Sequence, residues 1–337
     1  MAKKRRKKAK AAKKKVVKTT ATRPLIGFLY SGSKGSLRNQ FTAFHKSLKK
    51  AGYVEGQNVD IIYHSAEDAY TVTDYHVLDD IVRDFVKSQV QVIVAAGGPV
   101  AAVRAQQVTT TIPIVFTTVA TPIKYGLVDD LAHPTTNATG TAGLTTELDA
   151  ARLGLLTKLL SNLDTQTVGV LVNPNRPGVG KQVQDLNDAA KGIGLKQPLA
   201  IAKAGAESEL AAALQGLSGV AALLVTADPF FNSRRKKVLD QVKKHLPVPA
   251  IYQWREFVEE GGLMSYGPSI VEAYGNAGNY VGRILTYQLQ PPNLPPVIQI
   301  DPNDPEEVEL VINSSTADDL GLDIPYSLLS LADEVIE

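Results

Sequence analysis

Val220-Ala221-Ala222-Leu223-Leu224-Val225-Thr226 runs directly into Ala227-Asp228-Pro229-Phe230-Phe231-Asn232-Ser233-Arg234-Arg235, after which an amphipathic helical pattern begins. A short apolar run without alternation reads as a strand buried on both faces, as in a parallel sheet. Such a strand delivers the chain to the carboxyl edge of its sheet, where open α/β sheets bind ligands. Asp228, Asn232 and two adjacent phenylalanines suit an organic ligand with one charged and one apolar part. They also suit a purely structural reading, with Asp228 capping the next helix and both rings in the core. The stretch by itself leaves both open.

The same strand–loop–helix unit recurs on either side. Leu25 to Tyr30 leads into Ser31-Gly32-Ser33, and a helix with Leu37, Phe41, Phe44 and Leu48 on one face follows. Val59 to Tyr63, Val90 to Ala95 and Ile112 to Phe116 are further strands, the second ending in Gly97-Gly98-Pro99 and the third in Thr117-Thr118-Val119-Ala120-Thr121-Pro122. Ala138 to Leu144 reads as a fifth. The series then restarts: Val168 to Val172 ends in Asn173-Pro174-Asn175, a strand is expected over Lys196 to Ala202, and Val248 to Tyr252 delivers Trp254-Arg255-Glu256-Phe257. Gly262 to Gly267 closes it. Strand–helix alternation of this kind means doubly wound sheets, and 337 residues suit two such units. A late helix over Pro268 to Gln288 is interrupted by Gly278 without being destroyed. After it a Pro-rich linker, Gln290 to Pro305, leads to a strand at Val308 to Ile312 and a short helix at Ser314 to Leu320. Two lobes whose strand ends face one another enclose a cleft, and such clefts are preferred ligand sites that close by hinging.

Composition narrows the classes. No apolar run reaches the ~18 residues that would span a bilayer. Cysteine is absent, which removes disulfides, thiolate metal sites, a cysteine nucleophile and a lipidated cysteine. The formal charge of +2 conceals an asymmetry: residues 1–23 carry 12 of the 36 Lys and Arg and no acid, leaving 24 basic against 34 acidic residues in the body. The stretch Lys3-Lys4-Arg5-Arg6-Lys7-Lys8 is self-repelling and has little to bury, so disorder is expected over residues 1–22. Residues 3–18 suit non-specific contact with nucleic acid or an anionic membrane. They resemble the charged start of a secretory signal, but lysines break the stretch where its apolar core would lie.

Catalytic signatures are missing. Gly178-Val179-Gly180-Lys181 suggests a phosphate loop, but Asn175 stands where the first glycine belongs and Gln182 where Ser or Thr would hold magnesium. No Gly-x-Gly-x-x-Gly follows a strand, and no Gly-x-Ser-x-Gly elbow is present. His45, His64, His76, His133 and His245 show no metal spacing. No cofactor or metal is expected. An enzyme would need Asp228 or Glu256 as a general base with no visible nucleophile beside it.

Recognition is what the strand ends offer. Ser31-Gly32-Ser33 and Gly97-Gly98 present backbone N–H groups near helix starts, an arrangement that suits a carboxylate, although each also reads as an ordinary tight turn. Asp228 or Glu256 could pair with an ammonium. Phe230, Phe231, Tyr252 and Tyr266 could line an apolar pocket, with one of the two phenylalanines in the pocket and the other in the core. Thr118, Thr121, Asn173 and Asn175 add polar contacts at neighbouring strand ends.

Several stretches together resemble one family: Tyr53-Val54-Glu55-Gly56-Gln57-Asn58-Val59, Thr111 to Phe116, Ala227 to Arg235, Arg255-Glu256-Phe257-Val258, Gly261 to Pro268, and Ala332 to Glu337. They look like the ABC-transporter substrate-binding proteins of the tryptophan/tyrosine-binding type, over about residues 24–337. The resemblance implies a type I periplasmic-binding-protein fold, α/β, with two Rossmann-like lobes of parallel sheet joined by a three-segment hinge. It places residues 24–143 with about 268–298 in one lobe, and 144–267 with about 299–337 in the other. It also implies a small amino-acid-like ligand, a membrane permease with its ATPase, a periplasmic or extracytoplasmic location and a monomer. The chain departs from the family in its basic tail and in Ala120-Thr121-Pro122, where Gly-Asp-Pro is common.

A non-enzymatic solute-binding protein is therefore the first expectation. The alternative is a cytoplasmic ligand sensor of the same fold whose tail holds nucleic acid. Deleting residues 1–22 separates the tail's contribution from the body's. Retention on DNA or anionic vesicles should weaken steeply with salt in the full chain and vanish in the deletion variant; retention that survives the deletion would show that the body binds instead.

Overall fold

The apolar runs form strands and the amphipathic stretches form helices in a computed structural model that describes residues 23–30, 38–65, 76–118, 121–143, 146, 148–162, 164–176, 178–298 and 308–337. The first series comprises β1 (Leu25–Tyr30), α1 (Arg38–Lys50), β2 (Asp60–Ser65), α2 (His76–Lys87), β3 (Val92–Ala96), α3 (Pro99–Val108), β4 (Ile114–Thr118) and β5 (Ala138–Ala142). The second comprises α4 (Asp149–Thr157), β6 (Val168–Val172), α5 (Val179–Gly192), β7 (Ala200–Lys203), α6 (Leu210–Gln215), β8 (Ala222–Val225), α7 (Pro229–Ser233), α8 (Arg235–His245), β9 (Ala250–Tyr252), α9 (Arg255–Glu259) and β10 (Met264–Gly267). The chain ends with α10 (Ile270–Tyr287), β11 (Val297–Ile298), β12 (Glu309–Asn313), α11 (Ser314–Asp319), α12 (Tyr326–Leu329) and β13 (Glu334–Ile336).

Two sheets result, with strand orders β11-β5-β4-β3-β1-β2 and β13-β12-β10-β9-β8-β6-β7. The chain passes between them after β5, after β10 and between β11 and β12. The sheets are parallel, as expected, with one antiparallel pairing among the described residues, between β10 and β12. A strand entering the second sheet from the other lobe has no crossover helix to reverse its direction. Both sheets share one internal order, with the reversal between β1 and β3 in the first and between β6 and β8 in the second. Reversal sends the flanking connections to opposite faces and leaves a crevice at the carboxyl ends.

Each sheet is covered on both faces, which is why its strands read as unbroken apolar runs. In the first, Phe28 packs with Phe44, Tyr274 and Val281 of α1 and α10, while Leu29 packs with Val82, Phe85 and Ala101 of α2 and α3. In the second, Val225 meets Leu210, Leu214 and Val238 of α6 and α8, and Leu224 meets Leu153 and Leu186 of α4 and α5. Part of the expected linker is structured: Val297 and Ile298 pair with Thr141 and Ala142 as an edge strand. The last residues form a further edge strand, β13, on β12. Both are too short to carry an alternation signal.

As expected, α10 runs on through Gly278. The glycine lets that helix press against α1, since a Cβ there would lie 2.4 Å from the Phe44 carbonyl oxygen, and one at Gly282 would lie 2.2 Å from the Ala51 Cβ. The obstacle at Gly278 is backbone, which cannot rotate aside. Gly278→Val should therefore destabilise the chain by about 1–3 kcal/mol through overpacking, read as a lower urea midpoint at unchanged slope. An unchanged midpoint would mean that the two helices can separate at no cost.

Candidate ligand-binding site

The switch point of the second sheet brings Asn173, the residue after β6, against Asp228, which lies three residues beyond β8. Asn173 Nδ2 donates to Asp228 Oδ1 at 3.0 Å, and the Phe230 amide donates to the same oxygen at 2.8 Å. Asn173 Oδ1 accepts the Asn175 amide at 2.9 Å, and Asn175 Nδ2 reaches the Gly205 carbonyl beyond β7. The ends of β6, β7 and β8 are thereby tied together. Asp228 is 1% exposed and makes no ion pair among the described residues. Burial pushes its carboxyl above the ordinary range, and the Arg176 charge, acting through space, partly opposes that.

Asp228 caps α7 beside the switch point of the sheet. The rings do not divide as expected. Phe230 and Phe231 are both fully buried, edge-to-face at 5.4 Å, in the core beneath α8. A helix of one turn pressed onto a sheet has no solvent face wide enough for two adjacent aromatics, so both turn inward. Arg234 stacks over the Phe230 ring at 4.7 Å. Tyr252 is core as well, stacked on Phe257 at 4.6 Å. All three rings belong to one buried cluster. Tyr266 is half-buried and packs against Leu148 and Val308 beside the crossings.

In the first sheet, Ser31, Gly32 and Ser33 lie outside the described residues. The amides of Gly97 and Gly98, read as free anion donors, both point at Thr117: Gly97 donates to its hydroxyl at 3.2 Å and Gly98 to its carbonyl at 3.1 Å. Gly98 has another use. Its φ is 129°, and a Cβ there would meet the Pro229 ring of the other lobe at 2.7 Å. Thr118 closes β4, and Thr121 precedes a 3-10 turn, Pro122–Tyr125.

Two further contacts join the lobes. Gln40 of α1 donates from Nε2 to Glu256 Oε1 at 3.2 Å, with both residues buried. Arg176 donates from Nη2 to the Tyr125 hydroxyl at 3.4 Å. Behind Arg176 lies a buried network that the sequence did not signal. Arg176 reaches Gln182 Oε1 at 2.6 Å, Gln182 donates to Asp149, and Arg152 donates to Asp149 at 2.7 Å and to the Tyr266 carbonyl at 2.7 Å. Asp149 and Arg152 sit at i and i+3 on α4, a spacing that normally marks a solvated surface pair. A cavity of about 270 Å³ opens beside this network, lined by Lys124 and Tyr125 of one lobe and Thr146, Asp149, Arg176 and Gln182 of the other.

Gln253, the first residue after β9, was also missed. It is fully buried, and among the described residues neither end of its amide meets a hydrogen-bond partner; the same holds for Asn232 Oδ1 and Ser265 Oγ. No group of His, Asp and Glu among the described residues could hold a metal, and no described helix is long and apolar enough to cross a membrane.

Two α/β lobes with matching switch points, touching through polar residues at their strand ends, define a two-lobed binding protein of the type I periplasmic class. The chain matches the family described as ABC transporter substrate binding protein over residues 29–336, and it belongs to that family. A tyrosine-binding protein of Clostridioides difficile is 27% identical over 288 residues, covering 83% of this chain and 76% of that one. Among solved structures, a conserved domain protein of Vibrio cholerae superposes with a TM-score of 0.79 at 24% identity, over 93% of this chain and 100% of that one. The ABC domain of Streptococcus pneumoniae in complex with L-Trp superposes with a TM-score of 0.76 at 23% identity, over 92% and 100%.

The inter-lobe contacts have a pH signature. Burial raises the Glu256 carboxyl above its ordinary value. A carboxyl raised in the folded state binds its proton more tightly there than when unfolded. Its contribution to stability is therefore full below about pH 4 and is lost as pH rises through the raised value. Glu256→Gln keeps an oxygen for Gln40 and removes the buried charge. The variant should melt at the wild-type temperature near pH 4 and above it at pH 8, in calorimetry across that range; equal melting at both ends would place Glu256 in water.

Proposed function

We propose that the protein is the solute-binding component of an ABC import system and captures an aromatic amino acid between its lobes by hinge closure. The observation that carries this reading is Asp228. A carboxylate 1% exposed, held by an amide side chain and a backbone N–H but by no cation within ion-pairing distance among the described residues, is costly unless a cation reaches it. The ammonium of an amino acid is such a cation. Asp228 lies at a switch point, where α/β sheets receive ligands, and the tyrosine- and L-Trp-binding relatives support the aromatic class.

In this reading the lobes comprise residues 24–143 with about 268–298 and residues 144–267 with about 299–337. Gln40 and Glu256, Gly98 and Pro229, and Tyr125 and Arg176 are the contacts made on closing. Asn173 and Asn175 hold Asp228 in place, and Thr118 and Thr121 stand at the end of β4 in the first lobe. The chain works as a monomer outside the cytoplasm and hands its solute to a membrane permease coupled to an ATPase. The basic residues 3–18 contribute non-specific attraction to anionic lipid.

Thermal unfolding tests the reading. L-Tryptophan or L-tyrosine at about a hundred times its Kd should stabilise the protein by ~2.7 kcal/mol, whereas the same rings carrying a propionate without the amino group should not. Asp228→Asn should weaken amino-acid binding at least about tenfold, the scale of one charge-assisted hydrogen bond. Absence of a shift with every aromatic amino acid would refute the proposal.

A further inference from the structure

Among the described residues, Gln253 stands at the strand ends of the second sheet with both polar atoms of its side-chain amide unmatched. Its neighbours there are satisfied: Asn173 and Asp228 bond each other, and the Thr226 hydroxyl donates to the Leu171 carbonyl at 2.9 Å. Gln253 is 0% exposed, and neither Oε1 nor Nε2 meets a partner among the described residues. A buried primary amide in that state costs about 1–3 kcal/mol for each unmatched group, and native proteins leave few of them without a reason.

Its position gives the reason. Leu224 and Ile251 are register partners on β8 and β9, so Gln253 lies beside Thr226, two residues short of Asp228 along the crevice. Gly267 of β10 closes the other side: a Cβ there would lie 2.0 Å from the Gln253 carbonyl oxygen and 3.4 Å from Arg152 Nη2. Three residues on, Glu256 meets Gln40 of the opposite lobe. Gln253 is thus enclosed between the proposed ammonium site, the Arg152 network and the lobe interface.

The chemistry of the amide narrows what it can take. Burying a charged ligand group against a neutral amide would leave most of its desolvation uncompensated, and the charged ends of an amino acid have charged counterparts nearby in Asp228 and Arg176. A neutral group that both donates and accepts matches an amide on both atoms. We propose that Gln253 determines specificity: resting on the aromatic amino-acid reading above, its amide pairs with a ring hydroxyl of the ligand, Oε1 accepting the phenol O–H and Nε2 donating to the phenol oxygen. L-Tyrosine satisfies both atoms, the indole N–H of L-tryptophan satisfies one, and L-phenylalanine satisfies neither. Sites built to hydrogen-bond a substrate hydroxyl reject the analogue lacking it strongly.

Isothermal titration of the full chain with L-tyrosine and L-phenylalanine tests this, in the wild type and in Gln253→Met and Gln253→Leu. The wild type should prefer L-tyrosine at least about 100-fold. Gln253→Met, of similar length and without polar atoms, should melt without ligand at or above the wild-type temperature, lose tyrosine affinity, and bring the preference below about tenfold. Gln253→Leu provides the same comparison if the methionine variant folds poorly. A wild-type preference near unity, or one unchanged by either substitution, would overturn the role of Gln253 while leaving the amino-acid reading in place. Failure of both amino acids to bind the wild type would instead remove the amino-acid reading, and the role of Gln253 with it.

Discussion

The hydrogen bond from Asn173 Nδ2 to Asp228 Oδ1 joins the two strand ends at which the second sheet reverses its order. Asp228 also caps α7 through the Phe230 amide, so one carboxylate fixes a loop, a helix start and the crevice wall. Fixing it this way requires burial, and burial is what raises its proton affinity. Local structure would be served equally by a serine or asparagine cap. A carboxyl kept at 1% exposure suits the ammonium partner proposed above. In that proposal the structural and recognition roles are one constraint viewed from two sides.

Close approach of the lobes depends on small residues in the same way. Gly98 lies against Pro229, the residue that directly follows Asp228. The glycine pair after β3 therefore lets the opposite lobe approach beside Asp228, while its own amides are spent on Thr117. Gln40 and Glu256 add a polar contact of modest strength, since a neutral amide meets a carboxyl whose burial already favours the protonated form. Weak polar contacts suit the proposed closure, which must also reverse, because a large apolar seam would hold the lobes shut without ligand.

The strands were legible because each is covered on both faces and so leaves an unbroken apolar run. Asp228 was legible as a strand-end acid followed by proline, and the glycine pair as a turn. What the rings do was not, because pocket and core demand the same residue types and differ only in which way a single helical turn faces. Asp149 and Arg152 were hidden by their i, i+3 spacing, which reads as surface until α5 and β10 are known to cover them. Gln253 was hidden for a different reason: lack of a partner belongs to the surroundings, and nothing in Tyr252-Gln253-Trp254 records it. The edge strands β11 and β13 are too short to show any period.

The charge pattern of the second lobe explains how neutral and ionic recognition can coexist there. Arg176 stands between two buried carboxyls, Asp149 and Asp228, and lowers the proton affinity of both. Asp149 is further held by Arg152 and Gln182, so its charge is spent inside the lobe. Asp228 is held only by amide donors among the described residues. Gln253, one strand over, lies within the same low-dielectric wall and carries no charge at all. An amphoteric ligand laid along this wall meets an acid at one place and a neutral amide at another. Its orientation then follows from which of its ends can be buried without a counter-charge.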